Sequence, residues 1–437
     1  MSTLQAGAAM VDITPKLGCH MLGYFRDRLA TDIHDPLHVK AMALSNGETT
    51  IGLVVCDLIV VPMDVVNEAK SIIQQRLGIP PENVLICGTH THTGPAIKPA
   101  LGTPEEEGYG ESVIPRIADT FALAVKRLQP AQVAWTSGDC HQETHNRRWR
   151  MKDGSVRMNP GYQNPDAVEP AGPIDPQLGV TILRTPEREP IAVLGNLGLH
   201  YVGAGIGDAI CADYFAAFGH ALQRCAGKSF VAIMANGTFG DINNCEFAKP
   251  ARQPPHPYAN IERVANVVAA EAWKQWNLLR EEDFKSDVEL GGQLAWVPFD
   301  ARVPSPEELA EAQAIYAGEP KPEDNEWVYA RELALMANLP SQWDVPVHAL
   351  RVGDLGIVGL HGEVFTEIGL EIKERSPFAQ TMNIGLANGS VGYVPTDKAL
   401  DEGSYETRLC RHVRAPKGTH RLWADTAVQL LDELHHV

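Results

Sequence analysis

Two patterns of apolar and polar positions take turns along most of the chain. Short continuous apolar runs are typical of buried strands, whereas apolar residues at every third or fourth position predict amphipathic helices. Segments that alternate in this way predict an α/β fold, with a mixed β-sheet core flanked by helices. Within the first three hundred residues, the predicted strands are 50–61, 83–86, 131–136, 178–184, 191–199 and 230–234, and the predicted helices are 64–77, 113–128, 214–225 and 261–279. Further along, we expect a hairpin of strands 347–352 and 356–360 and a last helix over 422–434.

The segment 303–343 departs from this alternation, because it is acidic and helix-like. It begins with Ser305-Pro306-Glu307-Glu308, where a capping serine is followed three residues later by glutamate and proline takes the first helical position. We interpret the segment as a solvated surface excursion or a lid. Because the sequence contains no internal repeat or long linker, we expect a single domain over 1–437 with a helical acidic insertion at about 303–343.

The charge balance narrows the range of partners. The 437 residues carry a formal net charge of −18, and nucleic acids and anionic membranes both bind basic surfaces, so we expect neither as a partner. The first residues lack the basic and apolar regions of a signal peptide, no apolar run is long enough to span a bilayer, and the eight cysteines are scattered. We therefore expect a cytoplasmic protein that acts on a small molecule, without stable membrane association. Assembly into a homo-oligomer is left open.

Two histidines stand two residues apart directly after a predicted strand, in the string Thr89-His90-Thr91-His92-Thr93-Gly94-Pro95. Ligand sites of α/β proteins gather at the carboxyl ends of strands. Alternate side chains of an extended chain point to opposite faces, so both imidazoles line one pocket only if the chain bends, which we expect at Gly94-Pro95. This spacing favours one metal ligand and one substrate-facing group over two ligands.

Further predicted strand ends and turns carry His200, Glu363 and the segment Gly240-Asp241-Ile242-Asn243-Asn244. Two histidines and one carboxylate are a common ligand set for catalytic zinc, which leaves a position open for water or substrate. His90, His200 and Glu363 could supply this set, although a histidine taken singly is more often a hydrogen-bonded structural group than a ligand. Asp213 most simply caps the helix that follows it.

The order of several motifs resembles the neutral ceramidase family along nearly the whole chain. The Thr-His-Thr-His-Thr-Gly-Pro string is the specific part of this resemblance, and the other motifs stand in the same collinear order. They are Asp12-Ile13-Thr14-Pro15 within 6–23, Asn146-Arg147, Gly240-Asp241-Ile242-Asn243, Gly362-Glu363 and Tyr393-Val394-Pro395-Thr396.

The resemblance implies roles for the matched positions. It implies one Zn²⁺ ion per chain and substrate-facing roles for His92, Arg147 and Tyr405, and we expect Asp241 to be an orienting group. Ceramidases carry a serine two residues after this aspartate that is proposed to take part in catalysis, whereas this chain has Asn243. We therefore expect no serine nucleophile and assign Asn243 to substrate binding. The metal ligands implied by the resemblance are His90, His200, Glu363 and Tyr393.

The implied activity is zinc-dependent hydrolysis of an amide bond. Zinc activates water and polarises the scissile carbonyl. Donors from His92 and Tyr405 would stabilise the oxyanion, each well-placed donor contributing on the order of 3 kcal/mol, and the planar fork of Arg147 suits a substrate oxygen.

The expected substrate is small and soluble rather than ceramide in a membrane. We expect neither a secretion signal nor the additional β-sandwich domain of secreted ceramidases, and Asn243 replaces their serine. Two alternatives stay open: an ester or lactone hydrolase on the same zinc site, and a noncatalytic zinc-bearing binding protein.

Overall fold

Three β-sheets meet at a shared apolar core in the computed structural model, which describes residues 3–203 and 205–436. Leu53 from the first sheet, Leu194 from the second and Ile357 from the third belong to one cluster of buried side chains. Helices pack on all three sheets. The predicted α/β fold, with mixed sheets flanked by helices, is confirmed.

Each sheet combines antiparallel strands with one parallel pair at its edge. A parallel pair needs a crossover connection, and a helix supplies it each time. The pairs are Thr50–Cys56 with Val84–Gly88, Pro190–Leu197 with Val231–Asn236, and Leu355–Gly359 with Gln380–Ile384. The antiparallel strands are His38–Ser45, Gln5–Asp12 and Gln129–Pro130 in the first sheet, Gln177–Arg184 and Gln132–Asp139 in the second, and Gln342–Val352 and Leu290–Asp300 in the third.

The predicted helices are present, with ends that differ by a few residues. Gly78 and Gly227 end the first and third of them in the left-handed conformation, with φ of 68° and 62°, which glycine adopts without steric cost. Among the described residues, no helix combines the length and the apolar character needed to cross a membrane. The helices are Met63–Leu77, Tyr109–Lys126, Asp213–Ala226, Ala259–Leu278, Pro306–Tyr316, Asn325–Leu335, Thr366–Arg375, Asp397–Glu402 and Thr419–His436.

The sequence pattern does not predict three of the long strands. Gln5–Asp12 and His38–Ser45 are rich in alanine, and Leu290–Asp300 contains Gly291, Gly292 and Pro298. Alanine, glycine and proline have low strand propensity, so these segments become strands through pairing with their neighbours in the sheet.

The acidic insertion contains two helices, and its second helix packs against the rest of the protein. The predicted capping box is present, because the Glu308 amide donates to Ser305 Oγ at 3.2 Å and the Ser305 amide donates to Glu308 Oε2 at 2.8 Å. Trp327 and Val328 of the second helix pack with Leu101. The single-domain description over 1–437 stays a prediction, and its residues 1, 2, 204 and 437 lie outside the described residues.

Candidate metal centre and active site

The carboxyl ends of the parallel pairs converge on one region, because backbone hydrogen bonds join the sheets there. The amide of Asn388 donates to the carbonyl of Ile86 at 2.7 Å, and the amide of Gly385 donates to the carbonyl of Asn236 at 3.1 Å. A polar side chain follows one such strand in each sheet. These side chains are His90 after Val84–Gly88, His200 after Pro190–Leu197 and Glu363 after Leu355–Gly359.

A left-handed residue turns both histidines of the string toward this region. His90 has a φ of 75°, and its ring centroid lies 4.9 Å from that of His92 and 4.6 Å from that of His200. Non-glycine residues adopt this conformation at an energetic cost. The bend is therefore at His90 itself and not at Gly94–Pro95, which forms a short strand paired with Met21–Leu22.

The buried carboxylate of Asp213 supports this turn. The sequence suggests that Asp213 caps its own helix, but its side chain makes no capping hydrogen bond there. It instead accepts hydrogen bonds from the Thr91 hydroxyl at 3.0 Å and from the His92 amide at 3.1 Å. Burial raises the pKa of Asp213 to about 6. Asp213 thus positions the segment that carries His92.

Hydrogen bonds define which ring nitrogens are free. His90 Nδ1 donates to the carbonyl of Ile59 at 2.8 Å, which leaves its Nε2 with a lone pair directed to the site. Arg147 Nη1 donates to His200 Nδ1 at 2.9 Å, so His200 Nε2 carries the proton and donates to His92 Nε2 at 3.0 Å. Binding of a metal by His200 exchanges one of these two hydrogen bonds for a metal bond.

Burial makes all three imidazoles weak bases. Desolvation, reinforced by the charge of Arg147, lowers the pKa of His90 to about 3. The same causes hold the pKa values of His92 and His200 well below the usual range. Metals bind the neutral form of imidazole, so protons do not compete with a metal for these rings near neutral pH.

Glu363 provides a carboxylate oxygen that fits a cation. Its Oε2 is buried and has no hydrogen-bond partner among the described residues. It lies 3.5 Å from His90 Nε2 and 3.9 Å from His200 Nδ1. Donors about 2.0–2.1 Å from a tetrahedral zinc ion lie roughly 3.3 Å apart, so the 3.5 Å separation from His90 Nε2 is close to that of two zinc ligands. His200 Nδ1 would first have to lose its hydrogen bond from Arg147. An unpaired buried carboxylate beside neutral imidazoles is the donor chemistry that such an ion requires.

The structure adds His92 to the possible ligands. Ring nitrogens of His90, His92 and His200 lie within 4.8 Å of one another. The sequence spacing favours a substrate-facing role for His92, whereas the bend at His90 brings all three rings together. Of the four ligand positions implied by the resemblance, His90, His200 and Glu363 are close together, and Tyr393 is the strand partner of Glu363 and lines the same cavity.

Arg147 is enclosed by partners. Its Nε donates to Glu406 Oε1 at 2.8 Å, its Nη2 donates to the Gly240 carbonyl at 2.8 Å and to the Tyr393 hydroxyl at 3.1 Å, and its Nη1 holds His200. Arg147 is absent from the described residues that line the cavity beside the site. The guanidinium thus positions His200 and Tyr393, while its predicted contact with substrate stays a prediction.

Asp241 and Asn243 are also part of the surrounding framework. Asp241 accepts hydrogen bonds from the Thr366 amide at 2.9 Å and from Asn146 Nδ2 at 2.8 Å. Asn243 Nδ2 donates to Asn159 Oδ1 at 2.8 Å. Neither side chain is among the described residues that line the cavity. The structure therefore does not bring these two predicted residues to the cavity wall.

A mostly apolar cavity opens beside His90, His92 and Glu363. Tyr405 lines it, and among the described residues the Tyr405 hydroxyl has no hydrogen-bond partner. Burial raises the pKa of Tyr405 above its usual range, so the hydroxyl stays protonated and can donate to a ligand. Its ring packs edge-on against Tyr393, with centroids 5.7 Å apart. The apolar wall includes Leu22, Ile59, Val60, Leu101 and Leu386.

Three polar residues of the cavity wall carry no role in the sequence analysis: Lys98, Ser390 and His412. Lys98 had a detectable signal, since it is a lone charge in the apolar segment that follows the histidine string. Ser390 and His412 follow no pattern of spacing, and only the fold brings them to the cavity.

The three sheets, each with a parallel pair at its edge and helices packed on it, define the class of α/β fold to which this chain is similar. This class is the neutral-ceramidase-like fold. The chain aligns over 100% of its length with 75% of the neutral ceramidase structure from Pseudomonas aeruginosa, with a TM-score of 0.77 and 19% identity. A structure described as ceramidase complexed with C2 gives a TM-score of 0.77 at 18% identity, covering 100% of this chain and 76% of that one. No protein-family model and no curated protein matches the sequence.

Proposed function

We propose that the protein is a hydrolase that holds one Zn²⁺ ion per chain and cleaves an amide bond in a small-molecule substrate. The observation that carries the proposal is Glu363 Oε2, a buried carboxylate oxygen without a partner among the described residues, beside neutral imidazoles. The likeness to ceramidase structures supports the choice of an amide bond. We keep a cytoplasmic location as part of the proposal.

The residues that would hold the ion are His90, His200, Glu363 and Tyr393, with His92 as a further donor. The bound metal would polarise the scissile carbonyl and lower the pKa of water at the site. Net hydrolysis adds the oxygen of water to the acyl carbon, breaks the C–N bond and transfers a proton to the leaving nitrogen. The products are a carboxylic acid and an amine.

The protein itself would position the metal ligands and donate a hydrogen bond to the substrate. The Tyr405 hydroxyl is protonated, faces the cavity and has no competing partner among the described residues, so it can donate to the developing oxyanion. Arg147 fixes His200 and Tyr393, and Ile59 fixes His90 through its carbonyl oxygen. A site held in this way does not have to reorganise during the reaction.

The second helix of the insertion helps to close the site. Tyr329 packs against Phe25, whose ring lies 6.0 Å from that of Tyr405. Arg411 joins the insertion to the chain beside His412, because its Nε and Nη2 donate to the Glu332 carboxylate, each at 2.7 Å. These contacts place the insertion beside the cavity, where it limits the space for a substrate.

The test is hydrolysis of matched amide, ester and lactone substrates with the same acyl group by the purified full chain. We expect amide cleavage that disappears after treatment with a chelator and returns when Zn²⁺ is added. Cleavage of the ester or lactone alone contradicts the amidase proposal. An unchanged rate in protein shown to be free of metal contradicts the metal dependence.

A further inference from the structure

Lys98 is a cation on the cavity wall that the proposed hydrolysis does not use. It lines the cavity together with Glu363 and Tyr405, and its side chain is partly buried. Among the described residues, its ammonium forms no ion pair and donates no hydrogen bond. Desolvation lowers the pKa of Lys98, against the opposing effect of the Glu363 and Asp64 charges.

Neighbouring arginines differ from Lys98, because each has a carboxylate partner. Arg147 and Arg148 donate to Glu406 at 2.8 Å and 3.0 Å, and Arg411 donates to Glu332 through two hydrogen bonds. Partial removal of an ammonium from water without a partner costs free energy. The region provides counter-ions for these arginines and leaves the Lys98 ammonium available to a ligand.

Among the described residues that line the cavity, Lys98 is the one lysine or arginine. The polar residues that share the wall with Lys98 are Glu363, Ser390, two tyrosines and three histidines. Most of the remaining wall is apolar. A charged oxygen that enters this space has one protein cation available, and a charge-assisted hydrogen bond to it is stronger than a neutral one.

We propose that Lys98 binds an anionic oxygen group of the substrate, so that the preferred substrates are small amides such as N-acyl amino acids or N-acyl sulfonates. This inference rests on the proposed amide hydrolysis and adds the substrate class. Lys98 acts through its position on the cavity wall and takes no part in breaking the C–N bond. It is a specificity-determining residue that distinguishes charged from neutral substrates.

The experiment compares three substrates that share one acyl group: N-butyrylglycine, N-butyryltaurine and N-butyrylglycinamide. The first carries a carboxylate, the second a sulfonate and the third no charge. We expect the wild type to prefer the charged substrates in kcat/KM. Lys98→Met should reduce this preference about 10–100-fold, mainly through KM, because a hydrogen bond to a charged group is lost.

Two further variants separate charge from structure. Lys98→Arg retains the charge and should recover part of the preference, while Lys398→Met, at an exposed residue outside the cavity, should leave it unchanged. If Lys98→Met lowers kcat/KM equally for the glycine and taurine derivatives, negative charge is the recognised feature. If it lowers kcat/KM for the glycine derivative alone, the carboxylate is the recognised feature. Metal content and thermal midpoint check that each variant folds.

The outcomes keep this inference distinct from the proposed function. A wild type that cleaves the neutral amide as efficiently as the charged ones, or a Lys98→Met variant with the wild-type preference, overturns the role of Lys98 alone. If no amide is cleaved, the proposed function fails, and calorimetric binding of N-butyrylglycine still tests the site. Binding that is weakened in Lys98→Met supports the anion site, and equal or absent binding in the wild type and this variant overturns it.

Discussion

Two sides of the candidate site differ in how completely their polar groups are paired. On one side, which we call the paired side, Arg147, Arg148, Glu406, Asp241 and Asn146 hydrogen-bond with protein partners, although Arg148 Nη2 forms only an ion pair, with Glu402 at 3.6 Å. On the other, the open side, Glu363 Oε2, the Tyr405 hydroxyl and the Lys98 ammonium have no hydrogen-bond partner among the described residues.

This difference distinguishes polar residues that hold the site in shape from polar residues that are available to a ligand. A saturated buried network fixes geometry, because each group that moves loses a hydrogen bond. A buried polar group without a partner costs free energy, which a ligand or an ordered water recovers when it binds there. The matched motifs include residues from both sides, and only the hydrogen bonds of the structure distinguish them.

The largest expected effect is on stability and comes from breaking the paired side at Glu406. Glu406→Ala leaves Arg147 and Arg148 buried without this carboxylate, and we expect a loss of about 3–5 kcal/mol in the free energy of unfolding. Denaturant unfolding measures it. Glu402→Ala is the matched control, because Glu402 is more exposed and pairs with Arg148 at 3.6 Å and Arg150 at 2.7 Å. Equal effects of the two substitutions would contradict a special role of Glu406.

On the open side, Tyr405→Phe should reduce turnover with little effect on stability. The substitution removes a hydroxyl that has no partner among the described residues, so no protein hydrogen bond is lost. We expect kcat to fall about 10²–10³-fold, the typical cost of an oxyanion donor, while metal content stays at the wild-type level. Tyr329→Phe, which alters a tyrosine of the adjoining aromatic cluster, is the control. A wild-type kcat in Tyr405→Phe would contradict the role of the Tyr405 hydroxyl as a hydrogen-bond donor.

Asp241→Asn tests whether a motif residue on the paired side acts mainly through structure. The amide group can accept only one of the two hydrogen bonds that the carboxylate accepts, so we expect a loss of about 1–3 kcal/mol in stability. The activity per bound metal should change less than about tenfold. A large loss of kcat at unchanged stability would show that Asp241 acts in the reaction and not mainly through structure.

The smallest effect concerns Lys70, a buried lysine remote from the motifs, which donates to the Pro81 carbonyl at 3.0 Å. Desolvation lowers its pKa to about 7 from an ordinary 10.5. Between these values the unfolded chain binds more protons than the folded one, so stability rises with pH, by at most about 1.4 kcal/mol per pH unit. Lys70→Met should remove this rise, which thermal midpoints of both proteins at pH 7, 8 and 9 measure. If the thermal midpoints of the wild type and Lys70→Met change with pH in the same way, Lys70 does not titrate in this range.

The sequence predicts the α/β class and the strand-end location of the polar residues, because both follow from local periodicity. Apolar runs before His90 and His200 identify strands whose carboxyl ends carry these two histidines. The alanine-rich strand Gln5–Asp12 has no such signal, since its pairing depends on residues far along the chain. The resemblance to ceramidases is confirmed at the level of the fold.

Local patterns predict the site less completely than the fold. Spacing alone cannot give the positive φ of His90 that turns both imidazoles to one side, nor the hydrogen bonds that saturate Arg147. His412 reaches the cavity from a segment without periodicity. Such residues are brought together by tertiary contacts, and their roles depend on which of their atoms remain unpaired.

The most direct test of the central claim is the metal content of the purified protein, measured per chain for the wild type, His90→Ala and Glu363→Ala. His256→Ala, at an exposed histidine, is the control. We predict about one zinc ion per chain in the wild type and the control, and loss of the metal in both site variants. Unchanged metal content in either variant would remove that residue from the centre. A wild type that binds no zinc when the ion is supplied would contradict the account as a whole.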